Sequence, residues 1–218
     1  MLPAPLKLAI IGAGGYGRET LDVLKAIDPD GSLWDFVGFV DSATPDIDLF
    51  ERINATFLGD DEFFLRRQLA KHFIIAIGDP SRRRRVATIY SSAGLTPVSL
   101  VHPSATLGFD ISIGSGSIIC AQSSLTTQIK IGQHVHIDRV STIGHDCDIG
   151  DFVSLLPGSV VSGNVRIGQG ALIGANACIL AGLSIGDGVT VGAGSVVTKD
   201  IPAGMTVAGV PARPLIRA

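Results

Sequence analysis

Residues 143–161 read IGHDCDIGDFVSLLPGSVV, and an aliphatic side chain occupies every sixth position of this stretch. The same period runs without a break from Val101 to Val197, where each stop is Val, Leu or Ile. The fourth residue after each stop is mostly small or β-branched, and the residue directly after it is often glycine. A period of six fits neither an α-helix nor an alternating strand, so it predicts short strands separated by corners.

We expect the aliphatic and small residues to point into a shared core, and glycine to take the corner at little steric cost. Hexapeptide repeats of this kind build parallel β-helices. The pattern resembles the left-handed hexapeptide transferases, whose coils have three faces, and this resemblance implies that residues eighteen positions apart lie above one another. We therefore predict an all-β left-handed parallel β-helix with a carboxy-terminal tail over residues 101–218.

Composition limits the classes of protein to which this 218-residue chain can belong. Its net charge of −3 gives no reason to expect a nucleic-acid partner. The mean hydropathy of +0.42 comes from the repeated Ile, Val and Ala. The sequence has no run of eighteen apolar residues, so we expect no membrane span. Residues 1–5 lack a basic region and a cleavage site, so we expect no signal peptide. The three cysteines lack metal-type spacing, which predicts free thiols, a cytoplasmic location and no bound metal.

Residues 1–100 follow a different pattern, in which apolar runs alternate with segments of helical spacing. Strands are predicted at 6–11, 35–40 and 73–77, a short strand at 57–58, and helices at 18–27, 61–71 and 81–93. Alternating strands and helices imply a small parallel sheet, so we predict a Rossmann-like α/β domain that binds a nucleotide-linked sugar. Its boundary with the β-helix is expected near His102 and Pro103.

The glycine-rich segment GAGGYG, residues 12–17, follows the first predicted strand and opens the first predicted helix. Backbone N–H groups at such a helix start can hold a phosphate, and Asp41, at the end of the second strand, is placed to bond a ribose or a base. The alternative is a tight turn that binds nothing. If a nucleotide binds, it is a dinucleotide or a nucleotide-linked sugar; a sheet of only about four strands lacks a second dinucleotide half, which counts against the first.

Four consecutive arginines, residues 82–85, form the one dense run of charge. A solvated helix face is one interpretation of such a run. The other is that one arginine, Arg83 by preference, reaches a phosphate held beside Gly78 and Asp79.

Among the five histidines, His145 has the most informative position. It is expected at an outward-facing corner, and the residues eighteen and thirty-six positions later are Gly163 and Ala181. A bare surface along this corner would accommodate a long thin ligand. The Gly163 amide could then receive an oxyanion while His145 takes a proton from a nucleophile. A neighbouring carboxylate, Asp146 or Asp138, would hold the tautomer of the ring.

Two other interpretations of the histidines stay open. An outward-facing histidine on a coil is often idle. A zinc site among His134, His136 and His145 is conceivable, but the closely spaced pair used by the hexapeptide carbonic anhydrases is absent. We expect His72 and His102 to be structural.

The motifs of the whole chain occur in the order found in one enzyme family. They are the glycine-rich first turn, Ile77-Gly78-Asp79, His102-Pro103-Ser104-Ala105, His145-Asp146-Cys147, Gly163-Asn164-Val165 and Gly209-Val210-Pro211-Ala212. The chain resembles the NeuD/PglD-like family of sialic acid O-acetyltransferases and bacillosamine N-acetyltransferases. Members of that family transfer acetyl from acetyl-CoA to a sugar, often a nucleotide-linked amino sugar.

The resemblance implies roles for individual residues. His145 would be the general base and Gly163 the oxyanion amide, with Asp146 and Asp138 completing the catalytic set. Acetyl-CoA contacts are implied at Gly163, Ala175, Ala181 and Ala193. Substrate contacts are implied at Gly12, Gly14, Gly15, Tyr16, Asp41, Gly78, Asp79 and Arg83. A homotrimer with active sites between subunits is implied as well.

Three positions depart from the family's usual pattern. Asp138-Arg139 stands where Asn-Thr is common, Ser154 replaces a second histidine, and Pro80 replaces the Asn after Gly78-Asp79. The first two departures are expected near the acyl site, so they bear on the acceptor and on the acyl group.

The sequence thus predicts a CoA-dependent acyltransferase that acetylates the amino group of a nucleotide-linked amino sugar. O-acetylation of a sugar acid is one alternative. A non-catalytic trimeric scaffold that binds a nucleotide sugar is the other.

Overall fold

The computed structural model describes residues 4–215 and confirms the predicted fold class, an α/β domain followed by a three-sided parallel β-helix. The sheet of the amino-terminal domain has the spatial order β2-β1-β3-β4, and all its pairings are parallel. The domain contains β1 (Leu6–Ile11), α1 (Gly15–Ile27), β2 (Trp34–Val40), α2 (Ile47–Arg52), α3 (Asp61–Arg67), β3 (His72–Ile75), α4 (Pro80–Ser92) and β4 (Thr96–Pro97). No helix among these described residues is long and apolar enough to cross a membrane.

The domain differs from the sequence prediction in three elements. Strand β4, the fourth strand of the sheet, was not predicted. Helix α2 was not predicted; Asp46 caps it by accepting the N–H of Leu49 at 3.0 Å. Phe57 forms only an isolated bridge to Phe39, so residues 57–58 do not form the short strand that was predicted.

The β-helix is a triangular prism whose faces are three sheets. The domain-facing sheet contains β5 (Leu100–Val101), β8 (Ile118–Ile119), β11 (His136–Ile137), β14 (Ser154–Leu155), β17 (Leu172–Ile173), β20 (Thr190–Val191), β22 (Thr206–Ala208) and the antiparallel β23 (Arg213–Pro214). The uncharged sheet contains β6 (Thr106–Leu107), β9 (Ser124–Leu125), β12 (Thr142–Ile143), β15 (Val160–Val161), β18 (Cys178–Ile179) and β21 (Val196–Val197). The charged sheet contains β7 (Ile111–Ile113), β10 (Ile129–Ile131), β13 (Asp148–Ile149), β16 (Arg166–Ile167) and β19 (Ser184–Ile185).

Residues eighteen positions apart stack directly, as predicted. Ile143 pairs with Val161, which in turn pairs with Ile179, and all three are at most 1% exposed. Together with the small residues four positions further on, these side chains form one continuous core inside the prism. Burial of this aliphatic column is the main source of stability for the coil.

The role of the repeated glycine differs from the prediction. Gly144, directly after an inward Ile, does not have a positive φ; a methyl group there would lie 2.5 Å from the backbone nitrogen of Gly163 in the next coil. The left-handed conformation instead falls two residues later, as at Asp146 with φ 58°. The glycine directly after an inward residue is therefore required for close approach between coils, whereas the left-handed torsion belongs to a later corner residue, which is itself a glycine in some coils, as at Gly182 with φ 77°.

Three corners join the three sheets. The Asp138 corner (residues 102–105, 120–123, 138–141, 156–159, 174–177 and 192–195) follows the domain-facing sheet. The His145 corner (108–110, 126–128, 144–147, 162–165 and 180–183) follows the uncharged sheet. The Arg83 corner (114–117, 132–135, 150–153, 168–171 and 186–189) follows the charged sheet and contacts α4. The His145 corner is thus the edge of the prism opposite the domain-facing sheet.

Arg83 fixes the amino-terminal domain on this prism. Its side chain is fully buried, and the guanidinium donates to the carbonyl oxygens of Ile77 at 2.7 Å, His134 at 2.9 Å and Phe152 at 2.8 Å. It also reaches the Ser154 hydroxyl at 3.0 Å. No carboxylate is among its hydrogen-bond partners in residues 4–215, and burial lowers its pKa to about 10. The prediction that Arg83 contacts a phosphate is therefore wrong, because its donors are already used by the protein.

We expect Arg83→Met to separate the domain from the coil. The substitution leaves several buried carbonyl groups without donors, at roughly 1–3 kcal/mol each, so the free energy of unfolding should fall by about 3 kcal/mol or more. Chemical unfolding followed by circular dichroism, together with limited proteolysis near residue 98, measures this loss. Arg85→Met, an exposed position on the same helix, is the matched control. Equal stability of the two variants would contradict the role of Arg83.

Candidate active site

A cavity of about 470 Å³ lies at the carboxyl ends of β1, β2 and β3. We call it the glycine-loop pocket; among its lining residues are Gly12, Gly14, Gly15, Tyr16, Asp41, Ser42, Gly78, Arg82 and Arg85. This is the edge of a parallel sheet where ligands of open α/β folds bind. Six predicted substrate contacts, all but Asp79 and Arg83, therefore lie around one cavity.

The glycines of the first turn are needed for different structural reasons. Gly12 has φ +113°, and a methyl group there would lie 2.7 Å from the Ala76 carbonyl oxygen. A methyl group on Gly17 would collide with the carbonyl of Gly12. By contrast, a methyl group on Gly14 or Gly15 would meet no protein atom closer than 4.0 Å. The first pair is required by the fold, whereas the second pair leaves open space at the start of α1, where N–H groups can meet an anion.

Asp41 is held in a fixed orientation at the rim of this pocket. Its Oδ2 accepts the N–H of Ala13 at 2.8 Å, and its Oδ1 accepts the N–H of Ala43 at 3.1 Å. Oδ1 also accepts a long bond from the Ser42 hydroxyl at 3.5 Å, whereas Oδ2 keeps a second acceptor site, so Asp41 can still accept from a ribose hydroxyl or a base N–H.

Helix α4 supplies the positive charge of the pocket through Arg82 and Arg85. The sequence prediction chose the wrong arginine because the phase of α4 was not applied to the run. Arg83 lies one turn before Ala87 and two turns before Tyr90, and these three are the buried face of the helix together with Pro80. Asp79 caps α4 by accepting the N–H of Arg82, at 2.6 Å, and does not line the glycine-loop pocket.

His145 and Gly163 form the second part of the candidate site, on the His145 corner. The ring of His145 lies directly against Gly163, where a methyl group would come within 2.7 Å of Nε2. His145 Nδ1 is 2.7 Å from Asp146 Oδ2, so the carboxylate can hold the proton on Nδ1 and leave Nε2 as a proton acceptor. The side chains of His145 and Asp146 are 57% and 51% exposed. Within residues 4–215 the N–H of Gly163 has no hydrogen-bond partner, so it is free to donate.

Three of the four remaining predicted site residues lie on a different edge of the prism. Asp138, Ala175 and Ala193 are on the Asp138 corner, whereas Ala181 continues the column below Gly163. Asp138 accepts the N–H of Arg139 at 2.7 Å and does not contact His145 within the chain. Ser154 is buried under the amino-terminal domain, where its hydroxyl donates to the Gly78 carbonyl at 2.9 Å. The expectation that Asp138 and Ser154 lie near the acyl site is therefore not met within one subunit.

Two of the three histidines considered for zinc, His134 and His136, are packed inside the domain junction. His134 stacks on Phe152 with ring centroids 5.2 Å apart, and burial lowers its pKa to about 4. His136 Nε2 lies 2.9 Å from the Ile75 carbonyl oxygen. No group of three or more His, Cys, Asp or Glu side chains in residues 4–215 is arranged to hold a metal ion.

Two family models match the chain. Residues 7–90 match the PglD N-terminal domain, and residues 164–199 match the hexapeptide repeat of succinyl-transferase. A curated relative, the GDP-perosamine N-acetyltransferase of Escherichia coli O157:H7, is 38% identical over 130 residues. That match covers 58% of this chain and 57% of the relative, so it spans little more than half of either protein.

Solved structures match along nearly the full chain. The acetyltransferase domain of PglB from Neisseria gonorrhoeae FA1090, in complex with acetyl coenzyme A, is 33% identical with a TM-score of 0.87, covering 97% of this chain and 100% of that one. A mutant of perosamine N-acetyltransferase from Caulobacter crescentus, in complex with CoA and GDP-perosamine, is 28% identical with a TM-score of 0.87, covering 97% of each chain.

We expect Gly14→Val to close the glycine-loop pocket without disturbing the fold. Gly14 has an extended backbone with φ −73° and open space beside it, so valine fits the protein but occupies the room of a ligand. Calorimetric titration with GDP, UDP and dTDP should show loss of binding, with the melting temperature unchanged. Gly17→Val is the contrasting variant and should unfold the domain, because its side chain overlaps the Gly12 carbonyl. Undiminished nucleotide affinity in Gly14→Val would mean that the glycine turn is only structural.

Proposed function

The chain belongs to the NeuD/PglD-like family of sugar acetyltransferases, and from that premise we propose that it is an acetyl-CoA-dependent enzyme that acetylates the amino group of a nucleotide-linked amino sugar. The observation that carries this proposal is the placement of the His145 ring against Gly163, with the small Ala181 one coil further along the same column. The names of the E. coli and C. crescentus relatives support an amino sugar as the acceptor.

The chemistry follows from three groups on the His145 corner. The acceptor nitrogen attacks the thioester carbonyl carbon, and the carbonyl oxygen becomes an oxyanion that the N–H of Gly163 stabilises. His145 Nε2 takes the proton that the nitrogen loses, while Asp146 stabilises the resulting imidazolium through Nδ1. The C–S bond then breaks, and the departing CoA thiolate takes the proton from His145. An amide and free CoA are the products.

The glycine-loop pocket suits the nucleotide part of the acceptor. Arg82 and Arg85 line it directly, and the buried Arg83 adds a cation with no carboxylate partner in the described residues just beneath Gly78. These charges favour a diphosphate, because positive charge near the start of α1 complements the negative oxygens of the phosphate groups. Asp41 is placed to accept from the ribose or the base.

A single subunit cannot bring its own parts of this site together. The glycine-loop pocket lies on the domain that covers the domain-facing sheet, whereas His145 lies on the opposite edge of the prism. The predicted acetyl-CoA contacts are divided in the same way, with Ala181 on the His145 corner and Ala175 and Ala193 on the Asp138 corner. Both corners border the uncharged sheet.

A homotrimer joins these parts. The outward positions of the uncharged sheet hold no charged residue; they are Thr106, Ser124, Thr142, Val160, Cys178 and Val196. We place this sheet against a three-fold axis parallel to the coil. The His145 corner of one subunit then meets the Asp138 corner of the next, a head-to-tail contact that closes into a ring. Acetyl-CoA lies between the two corners, and the neighbouring subunit supplies the nucleotide pocket.

A cytoplasmic location is part of the same proposal. Cys120, Cys147 and Cys178 are all free thiols, as is usual for proteins of reducing compartments.

Replacing the base tests the chemistry. We expect His145→Ala to lower kcat about 10²–10⁴-fold, the usual contribution of a general base, because no other imidazole lies on this corner. Gly163→Ala should also lower kcat, since its methyl group displaces the His145 ring. Acetylation of GDP-perosamine, followed by CoA release, is the measurement, with Lys130→Ala on the charged sheet as control. Turnover of His145→Ala close to wild type would point to another base, and no turnover in any variant or wild type would favour a scaffold.

Mixed trimers test the position of the site. His145→Ala and Gly14→Val subunits, each with its own tag, are co-expressed and purified through both tags. A site between subunits gives every mixed ring one junction with an intact pocket and an intact base, so about one third of wild-type activity should return. A site within one chain would leave the mixture inactive. Light scattering on each homomeric variant checks that it still assembles.

A further inference from the structure

We propose that a small pocket between α1 and the Asp138 corner binds the amino group of the acceptor sugar as a cation, with Asp138 as its direct partner. This corner pocket has a volume of about 130 Å³ and is lined by Glu19, Asp22, His102, Cys120, Asp138 and Arg139, among others. Its size suits a substituent of a sugar ring and excludes a whole nucleotide. The proposal rests on the proposed function, and it adds the residue that recognises the amine.

The charge of the corner pocket favours a cationic ligand. Three of its lining residues, Glu19, Asp22 and Asp138, are carboxylates, and Arg139 is the one guanidinium. Arg139 binds Glu19 at 2.7 Å, and its side chain is 50% exposed. One cation against three carboxylates leaves an excess of negative charge at the pocket. A primary amine, whose pKa is about 8 for an α-amino group, carries a proton much of the time near neutral pH and complements that excess.

Asp138 is the group aimed into this pocket. The residue is only 7% exposed, and its Oδ1 accepts the N–H of Arg139 at 2.7 Å. Its Oδ2 has no hydrogen-bond donor among residues 4–215. Burial raises the pKa of the Asp138 carboxyl, because the charged form lacks full compensation. A bound ammonium group would supply both the missing hydrogen bond and the missing charge. It then gives one proton to Asp138, whose raised pKa favours this transfer, and the neutral nitrogen attacks the thioester.

The other groups facing the pocket do not compete for this role. Burial raises the pKa of the Cys120 thiol to about 12, so Cys120 stays neutral and is not an activated nucleophile. His102 Nδ1 accepts the N–H of Ser104 at 3.0 Å, on the outer side of the corner. Glu19 is already paired with Arg139. Asp138 Oδ1 also lies 3.6 Å from Arg139 Nε, and Asp22 is exposed to solvent. The Oδ2 of the buried Asp138 is therefore the carboxylate oxygen that remains available.

The level of Asp138 on the prism matches the level of the base. Asp138 and His145 are seven residues apart in a coil of eighteen, and one coil rises by about 4.8 Å, so their heights differ by about 2 Å. A three-fold axis parallel to the coil preserves these heights. An amine on Asp138 therefore lies level with the partner subunit's His145, between the nucleotide pocket of one chain and the thioester groove of the next.

This subsite would decide which sugars are accepted. A hydroxyl group in place of the amine loses the charge interaction with Asp138. A sugar acid would bring its carboxylate towards three others, so O-acetylation of a sugar acid is disfavoured by the same residues.

The test compares two ligands on two variants. Calorimetry measures the affinity of wild type for GDP-perosamine and for the matched GDP-sugar that carries a hydroxyl in place of the amine. Wild type should prefer the amino sugar by about 10-fold or more, the usual share of a hydrogen bond to a charged group. Asp138→Asn keeps the shape and the acceptor for the Arg139 N–H but removes the charge, so the preference should fall close to one. Asp148→Asn, an exposed carboxylate on the charged sheet, is the control and should keep the preference.

The outcomes separate the subsite from the proposed function. An unchanged preference in Asp138→Asn, or no preference in wild type, would overturn the subsite while leaving nucleotide-sugar binding intact. If wild type binds neither ligand nor the UDP- and dTDP-linked amino sugars, the proposed function itself is overturned, and the subsite with it. Equal binding of GDP by both variants shows that Asp138→Asn has not disturbed the glycine-loop pocket.

Discussion

The register between coils is the constraint on which the rest of the molecule depends. Each coil pairs with the next so that residues eighteen positions apart lie side by side. Because the aliphatic side chains must point inward, the core does not tolerate a shift of this register. Because a shift of one residue would turn the inward side chains outward, the position of every corner residue is determined by its number. The contact of His145 with Gly163 is a direct result, since the glycine one coil later leaves the imidazole room to lie flat on the backbone.

A second interaction determines where the glycine-loop pocket faces. Arg83 is a buried cation held by carbonyl groups of both parts of the chain, so the domain has one orientation on the prism. That orientation places the glycine-loop pocket over one sheet and leaves the opposite edge free for the base. The cost of burying the charge is offset by hydrogen bonds from all three nitrogen atoms of the guanidinium. Separation of the two halves of the site is thus built into the fold of each subunit.

The sequence predicted the coil and the stacking of His145 against Gly163 better than it predicted the domain junction. Because the period is strict, adding eighteen to a residue number predicts that His145, Gly163 and Ala181 stack in one column. The glycine-rich turn predicts which edge of the sheet holds the glycine-loop pocket. Arg83 was misassigned because charge suggested exposure, although the apolar Ala87 and Tyr90 on the same helical face pointed inward. Asp138 could not be placed from the column alone, because its surroundings come from Glu19 and Asp22 on a helix that is distant in sequence. Long-range packing of this kind leaves no local signal.

The final strand also has a consequence for the length of the prism. Parallel coils can be added without limit, and an exposed last coil would offer a row of unpaired backbone groups to another molecule. Here β23 runs back along β22, with Val207 opposite Pro214. The reversed direction breaks the parallel pattern, and Pro214 has no N–H to donate. Strand β23 therefore covers the free edge of β22 and discourages the addition of further parallel strands to the domain-facing sheet.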